Sequence, residues 1–492
     1  MTDCRRSCLV LSLCLGCASA AWVNTARAQV PPPAGPAPSA PPAEGQPPLP
    51  PLAPPPPPPA SLEPPLAPPT PLAQPQPVPP PVPLSAPQAA APAPSAPPPA
   101  AAAPAPASDK PWYDLFKLEG FADGYFSFNY NRPRPQAGSN TFRAYDNNNG
   151  FALAWVGVDV AHEIGPVGGT LSLRFGPAAR VFAGPDADHG LENVRQAFGT
   201  WKPIKQLTLD FGKFDTIVGA EVADSHKNPN YTRGALYWLG QPLFHTGLRA
   251  TWQPTDLLTF KIMVANGWNR TVDNNLGKTL GAQIGLTPSS KFGAAVTWLG
   301  GPEQDETISC GDGFAYDAAT HGCVANAAAT TGTYRNNGAN QRWRHLIDLV
   351  LTASPTDALA LSLNGDYAIE KILDATGAQK NARWMGAALA GRFAFSDTWA
   401  AALRGELFRD NDGLMTGAVD AQGSPADLKL YTGTLTLEAK PSEWMIVRLD
   451  NRVDVASQEV FRKEVNGGAS KTQFTSLLGV VITAGHTWER GK

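Results

Sequence analysis

The segment that decides the fold class is residues 444–455, WMIVRLDNRVDV. From residue 448 onward its charged side chains occupy every second position, and most of the positions between them are apolar. Residues two apart in a β-strand point to the same face, so one face of this segment is charged and the other apolar. This pattern is typical of a membrane-spanning strand, which contacts hydrocarbon on one side and water on the other.

The same alternation recurs along the chain, for example in residues 170–175, 257–266 and 358–370. It predicts sixteen strands, at residues 117–130, 151–163, 169–182, 191–202, 206–216, 243–253, 257–267, 278–287, 290–300, 343–354, 358–370, 380–395, 398–409, 428–440, 443–457 and 472–488. An even number of strands allows both chain ends to lie on the same side of a membrane barrel.

The predicted connections alternate in length. Short links rich in turn-forming residues follow every even strand, whereas the longest links, at 217–242, 301–342, 410–427 and 458–471, follow odd strands. Tryptophans beside the short links (Trp201, Trp252, Trp399 and Trp444) are placed to lie at a membrane interface. Residues 111–492 therefore predict an all-β, 16-stranded antiparallel transmembrane barrel, with a soluble β-solenoid or propeller as the alternative.

The N-terminal part of the chain predicts export. Residues 1–28 combine Arg5 and Arg6 with an apolar run and end in Ala26-Arg-Ala28, as in a cleaved signal peptide. An uncleaved membrane anchor is the alternative, although the apolar run is short for one. Residues 29–110 contain 36 of the 51 prolines. Such a segment cannot form a packed core, so we expect a disordered periplasmic segment.

Two cysteines, Cys310 and Cys323, remain once the predicted signal peptide is removed. In an oxidising compartment they are expected to form one local disulfide. Metal binding is the alternative, but His321 is the only soft ligand nearby and tetrahedral zinc needs four ligands.

Several phrases of the barrel region resemble the OmpL-like β-barrel porin family of Gram-negative bacteria. They include GFADGYFSFNY (120–130), FGKFDTIVGAE (211–221), NPNYTR (228–233), HTGLR (245–249) and NGWN (266–269). The resemblance covers about residues 117–488. It implies a porin-like barrel in the outer membrane and names no solute.

The sequence gives no support for an enzyme or a cofactor. It contains neither an H-E-x-x-H nor a G-x-S-x-G motif, and Gly277-Lys-Thr279 lacks the first glycine of a phosphate loop, which is replaced by Val272. The signal peptide carries three Arg and one Asp, so its removal changes the net charge from −3 to −5. That balance argues against a nucleic-acid partner.

Alternation also predicts which charged side chains line the pore. They are Arg174, Arg249, Lys261, Asp348, Asp366, Arg392, Arg404, Glu406, Arg448, Asp450, Arg452 and Asp454. The long connection after strand five is expected to fold inward, as in 16-stranded porins, so that five of its residues face solute; an exposed loop is the alternative. These constriction residues are Glu221, Asp224, His226, Lys227 and Arg233. The mixed signs predict no strong ion selectivity.

The predicted function is a porin-like channel for passive diffusion of small hydrophilic solutes, embedded in outer-membrane lipid. A homotrimer is a further expectation, and no metal or cofactor is needed. The alternative is a structural tether in which the proline-rich segment binds peptidoglycan or another periplasmic partner and the barrel is only an anchor.

Overall fold

The computed structural model describes residues 116–134, 139–144, 146–164, 166–317, 322–326, 328–374, 377–420, 423–463 and 468–487. The predicted signal peptide, the proline-rich segment and the expected domain boundary at residue 111 lie outside these residues. Within them, no helix is long and apolar enough to cross a membrane.

Sixteen antiparallel strands form a closed barrel in the described part of the chain, which confirms the predicted fold class. We number them β1 (Phe116–Asn129), β2 (Gly150–Ile164), β3 (Val167–Phe175), β4 (Val194–Ile204), β5 (Leu207–Asp215), β6 (Phe244–Trp252), β7 (Leu258–Ala265), β8 (Thr279–Ser289), β9 (Phe292–Pro302), β10 (Trp343–Thr356), β11 (Leu359–Leu373), β12 (Gln379–Ala394), β13 (Trp399–Asp410), β14 (Leu428–Ser442), β15 (Met445–Ala456) and β16 (Thr472–Thr487).

Strand β1 closes the barrel because it pairs with a strand on each side. Gly120, for example, lies opposite Val158 of β2 and opposite Ala484 of β16. Every other strand pairs with its neighbours in sequence order. The sheet therefore has no free edge, as a strand structure in hydrocarbon requires.

The alternating loop lengths are present in the structure. Connections after even strands contain two to five residues, and we call the end of the barrel that they form the short-turn end. Long connections lie at the opposite end, which also holds a short helix (Pro177–Ala183), two-stranded sheets and 3₁₀ turns such as Gly184–His189 and Ala339–Gln341. The shortest connection at that end, residues 374–378, has five residues.

One strand prediction is wrong at its C-terminal end. The third strand was expected to run from 169 to 182, but β3 ends at Phe175 and a helix begins at Pro177. Gly176 has a φ of 133°, which breaks the strand, and proline is well suited to the first turn of a helix. The strand therefore stops seven residues earlier than predicted.

Apolar and charged side chains are distributed in the reverse of a soluble protein. On β13, Leu403 is 62% exposed on the outer face, whereas its neighbour Arg404 is 2% exposed inside the barrel. Tryptophans 201, 252, 399 and 444 are also exposed near the short-turn end. An apolar exterior around a charged interior is the arrangement expected of a barrel surrounded by lipid.

The connection between β9 and β10 carries the disulfide. Thr307–Cys310 pairs with Gly332–Arg335, and Cys323 lies on a second short hairpin between them. Cys310 and Cys323 are bonded to each other, with their Cα atoms 5.6 Å apart. The bond therefore joins two parts of the same extra-barrel connection.

Because this disulfide lies outside the barrel, its removal should leave barrel stability unchanged within about 0.5 kcal/mol. Replacing both Cys310 and Cys323 by serine should instead speed trypsin cleavage at Arg335, since the loop loses its covalent constraint. Stability is measured as the urea concentration at which half of the folded band on a detergent gel is lost. The rate of trypsin cleavage is measured on the same two proteins. A lower urea midpoint with unchanged cleavage would contradict it.

Candidate functional site

The connection between β5 and β6, residues 216–243, is the internal loop of this barrel. It contains a 3₁₀ turn, Ser225–Lys227, and a π-helical turn, Leu236–Gly240. Its side chains and backbone bond to inward-facing residues of strands that are more than a hundred residues away in sequence. The loop is therefore folded into the barrel interior.

The strongest anchor of the internal loop is Arg404 of β13. Its guanidinium donates 2.7 Å hydrogen bonds to Glu221 Oε1 and to the Thr232 carbonyl, and it is 3.0 Å from Glu406 Oε2 on its own strand. Glu221 also accepts a bond from the Gly234 backbone NH at 2.8 Å. One buried cation thus joins two separate segments of the loop, around Glu221 and around Thr232, to the barrel wall.

Two residues of β15 bind the loop backbone directly. Asp450 accepts a 2.8 Å bond from the Thr232 backbone NH, and Arg452 donates a 2.5 Å bond to the Arg233 carbonyl. Asp454 in turn binds Arg452 Nε at 2.8 Å. The alternating charges that predicted the fold therefore serve as loop attachments.

The two ends of the loop are attached to β10 and β11. Gly219 donates its backbone NH to Asp348 at 3.2 Å, and Gln241 Nε2 donates to Asp366 and to Asn364, each at 2.8 Å. Asn364 also donates to Asp348. This carboxylate and amide group holds the beginning and the end of the loop at one place on the wall.

A third attachment lies on β1 and β16. Tyr231 Oη and Ser225 Oγ donate bonds of 2.5 and 2.6 Å to the two oxygens of Asp123. The Tyr231 ring packs against Gly479, where a Cβ atom would be 2.2 Å from a ring carbon. Glycine at position 479 therefore makes room for the loop.

Adding a methyl group at Gly479 should displace the loop. We expect Gly479→Ala to lower the free energy of unfolding by about 1–3 kcal/mol, because Tyr231 must move. Gly405→Ala on the outer face is the matched control, since a Cβ there meets open space. In a double-mutant cycle with urea midpoints, Tyr231→Ala should remove most of the Gly479→Ala cost. Equal effects of the two glycine substitutions would contradict the proposed contact.

The predicted constriction residues have different surroundings. Asp224 lies between two cations. Its Oδ2 atom is 2.9 Å from Arg174 Nη2 and 3.2 Å from Lys227 Nζ. Burial would raise the pKa of Asp224, but these two cations outweigh it and hold the pKa well below its usual range. Lys227 is 43% exposed and reaches the lumen, whereas Arg233 is buried and donates to backbone carbonyls within the loop.

His226 packs against Phe121, with ring centroids 4.6 Å apart. Burial lowers the pKa of His226 to about 4, although Asp224 acts in the opposite direction. At neutral pH its imidazole is therefore uncharged and adds no charge to the lumen.

The twelve predicted wall residues all have a sequence neighbour with an exposed apolar side chain, as inward-facing strand positions should. They differ in their access to water. Three are partly exposed: Arg249, Lys261 and Arg392. The others are buried: Arg174, Asp348, Asp366, Arg404, Glu406, Arg448, Asp450, Arg452 and Asp454. Most of the predicted wall charges therefore hold the loop or one another.

An open part of the lumen lies along the inner face of β3 to β5, near the short-turn end. A cavity of about 220 Å³ there is lined by Phe198, Thr200, Thr208 and Asp210, among others. Arg249 is bonded to Asp210 at 2.8 Å, and its side chain is 18% exposed. The internal loop thus covers one side of the barrel interior and leaves the other to water.

Sequence reasoning missed Asp123, Asn364, Gln241, Tyr231 and Gly479 as parts of this site. Asp123 and Asn364 could have been found, because both are polar residues at inward positions of alternating strands. The roles of Tyr231 and Gly479 depend on a contact between residues 248 positions apart and leave no local signal.

No metal-ligand group of three or more His, Cys, Asp or Glu side chains occurs among the described residues. Solved structures similar to this one include in-vitro folded OmpT of Vibrio cholerae (TM-score 0.47, 13% identity, covering 75% of this chain and 97% of that chain). The outer membrane channel DcaP of Acinetobacter baumannii (TM-score 0.46, 12% identity, 75% and 97%) is also similar. So is Salmonella typhi OmpF in complex with daunomycin (TM-score 0.46, 15% identity, 76% and 99%).

No curated protein sequence matches the chain. The model of the family described as "Putative beta-barrel porin-2, OmpL-like" matches residues 115–483, which is more than half of the sequence. The chain therefore belongs to the OmpL-like β-barrel porins and is an outer-membrane protein.

Proposed function

We propose that the barrel is a channel for passive diffusion of small hydrophilic solutes, narrowed by the internal loop. The observation that carries the proposal is the one-sided attachment of the loop. Its bonds go to β1 to β3 and to β8 to β15, and, among the described residues, it reaches β4 and β6 only through its terminal residues Leu243 and Thr216. The inner face of β4 to β7 keeps partly exposed polar groups such as Thr200 and Lys261.

A fixed loop beside a wet wall is the arrangement that a size-selective pore needs. A 16-stranded barrel is wide enough to enclose an aqueous channel, so an internal obstruction sets the solute size that can pass. The buried ion pairs at Arg404 and Arg174 hold the loop in one position. The limiting dimension is then the gap between Ala220–Val222 of the loop, part of which is exposed, and the wall of β4 to β7.

Liposome swelling tests the proposal without reference to charge. Liposomes containing the folded protein are diluted into solutions of a monosaccharide, a disaccharide and a tetrasaccharide, with protein-free liposomes as the control. The swelling rate should exceed the control for the monosaccharide and fall as the sugar becomes larger. Rates equal to the control for all three sugars would contradict a diffusion channel.

The structural tether, peptidoglycan binding and a periplasmic N-terminal segment depend on residues 29–110, which lie outside the described residues. They stay sequence-based predictions, as does the homotrimer.

A further inference from the structure

Three basic side chains share one carboxylate on the inner wall near the short-turn end. Arg392 of β12 donates a 2.5 Å bond to Glu438 Oε1, and Arg448 of β15 meets Glu438 Oε2 at 2.7 Å. Lys440 Nζ is 3.8 Å from Glu438 Oε1. We call Arg392, Glu438, Lys440 and Arg448 the basic cluster.

The strand register explains how residues of three strands come together. Glu438 lies directly opposite Arg448 on β15 and opposite Ala400 on β13. Arg392 lies opposite Ala402 on β13. Because β13 presents only two alanines here, the Arg392 side chain can cross that strand to reach Glu438.

The basic cluster has more positive than negative charge. One carboxylate neutralises one of three cations, so an excess of two positive charges remains. Among the described residues, no other carboxylate lies within 4 Å of the three cations. Arg392 is 29% and Lys440 is 42% exposed, whereas Glu438 and Arg448 are nearly buried. Water therefore reaches Arg392 and Lys440, but neither the carboxylate nor Arg448.

Most of the accessible charges elsewhere in the lumen have the same sign. Lys227, Lys261 and Arg249 are exposed or partly exposed, whereas Glu119 is an exposed carboxylate at an inward-facing position of β1. Acidic groups near them, Asp159 and Asp210, are each bonded to an arginine. By contrast, the internal loop carboxylates are paired with buried arginines. The mixed charges in the sequence thus become a predominantly cationic accessible lumen.

We propose that the basic cluster is a binding site for a small oxyanion, a carboxylate or a phosphate group, and that the channel prefers anions. This inference rests on the proposed channel function. Arginine forks bind both groups in bidentate geometry, and a positive field in a narrow pore concentrates anions. Arg448 also donates a 2.6 Å bond to the Ser225 carbonyl, so the site lies next to the internal loop.

Reversal potentials in planar bilayers under a tenfold potassium chloride gradient test the ion preference. In the wild-type channel the permeability to chloride should exceed that to potassium by about twofold or more, because the accessible lumen charges are predominantly cationic. Arg392→Gln/Lys440→Gln should bring the ratio close to one. The matched control is Lys205→Gln/Lys291→Gln, which removes the same charge from short turns and should keep most of the preference. Lys440→Gln alone, which breaks no bond shorter than 3.8 Å, provides a variant that keeps the fold.

Citrate and inorganic phosphate, added separately to the chloride solution, test binding. At least one should reduce the chloride current in a saturable way, and Arg392→Gln/Lys440→Gln should weaken that block about tenfold or more, which also identifies the preferred oxyanion. A wild-type ratio at or below one, a ratio unchanged in the double variant, or no block by either ion would overturn the site. A folded barrel without any conductance would instead contradict the channel function on which it rests.

Discussion

Replacing residues 217–242 by a four-residue Gly-Ser linker should raise single-channel conductance about two- to fivefold. The internal loop fills one side of the lumen, so its removal widens the conducting cross-section of a 16-stranded barrel. The barrel should still close, because Asp215 and Phe244 already lie opposite each other in the β5–β6 ladder. Planar-bilayer recordings at a single salt concentration provide the measurement.

A matched deletion in the connection between β9 and β10 is the control. Thr307 and Arg335 are paired, so residues 308–334 can be replaced by the same linker without opening a strand. This variant replaces 27 residues and should keep the wild-type conductance, because the connection between β9 and β10 lies beyond the barrel end. Equal conductance of wild type and the internal-loop variant would show that the loop does not limit the pore.

Arg404→Ala should be the most destabilising single substitution in the barrel interior. It leaves Glu221 and Glu406 close together without the cation that neutralises them, and breaking a buried ion pair in this way costs about 3–5 kcal/mol. Water that enters the lumen should screen these charges and reduce the cost. We therefore expect the free energy of unfolding, obtained from urea midpoints, to fall by about 2–3 kcal/mol. Recordings of the same variant should show rapid current fluctuations, because the loop loses its central attachment.

Arg409→Ala tests whether the effect belongs to the loop. Arg409 is on the same strand and forms a bidentate pair with Asp427, but the two side chains are 41% and 38% exposed. Exposed ion pairs contribute little to folding stability. This substitution should therefore lower the free energy of unfolding by less than about 1 kcal/mol and leave the current steady. In a second variant, Arg404→Met/Glu221→Gln/Glu406→Gln, stability should largely return because no charge is left unpaired. Similar losses for Arg404→Ala and Arg409→Ala would contradict the assigned role.

The barrel could be predicted from the sequence because its pattern is local. Residues 444–455 alternate so regularly that face assignment needs no tertiary information, and proline- or aspartate-rich links indicated where strands turn. The exception is residues 177–182, where alternation predicts strand although Gly176-Pro177 is a helix-start signal. Two strands also continue through prolines that were expected to lie in turns: β4 passes Pro203 and β8 passes Pro288. Proline is tolerated at the end of a strand where its missing NH removes no hydrogen bond to the neighbouring strand.

The strand pattern could not predict which inward-facing charges are accessible to water. Alternation treats Arg392 and Arg404 as equivalent inward-facing arginines, yet the first is accessible and the second is buried. The difference arises from Glu221, which lies 183 residues before Arg404 and reaches it only after the barrel closes. Accessible charge, and hence ion preference, is therefore a property of the folded loop and not of the strand pattern.

The most direct test of channel function is a planar-bilayer recording of the full-length protein after folding has been verified by heat-modifiable migration on a detergent gel. We predict reproducible conductance steps that become larger when residues 217–242 are replaced. A correctly folded barrel that stays electrically silent, both as wild type and without its internal loop, would contradict the conclusion that this protein is a channel.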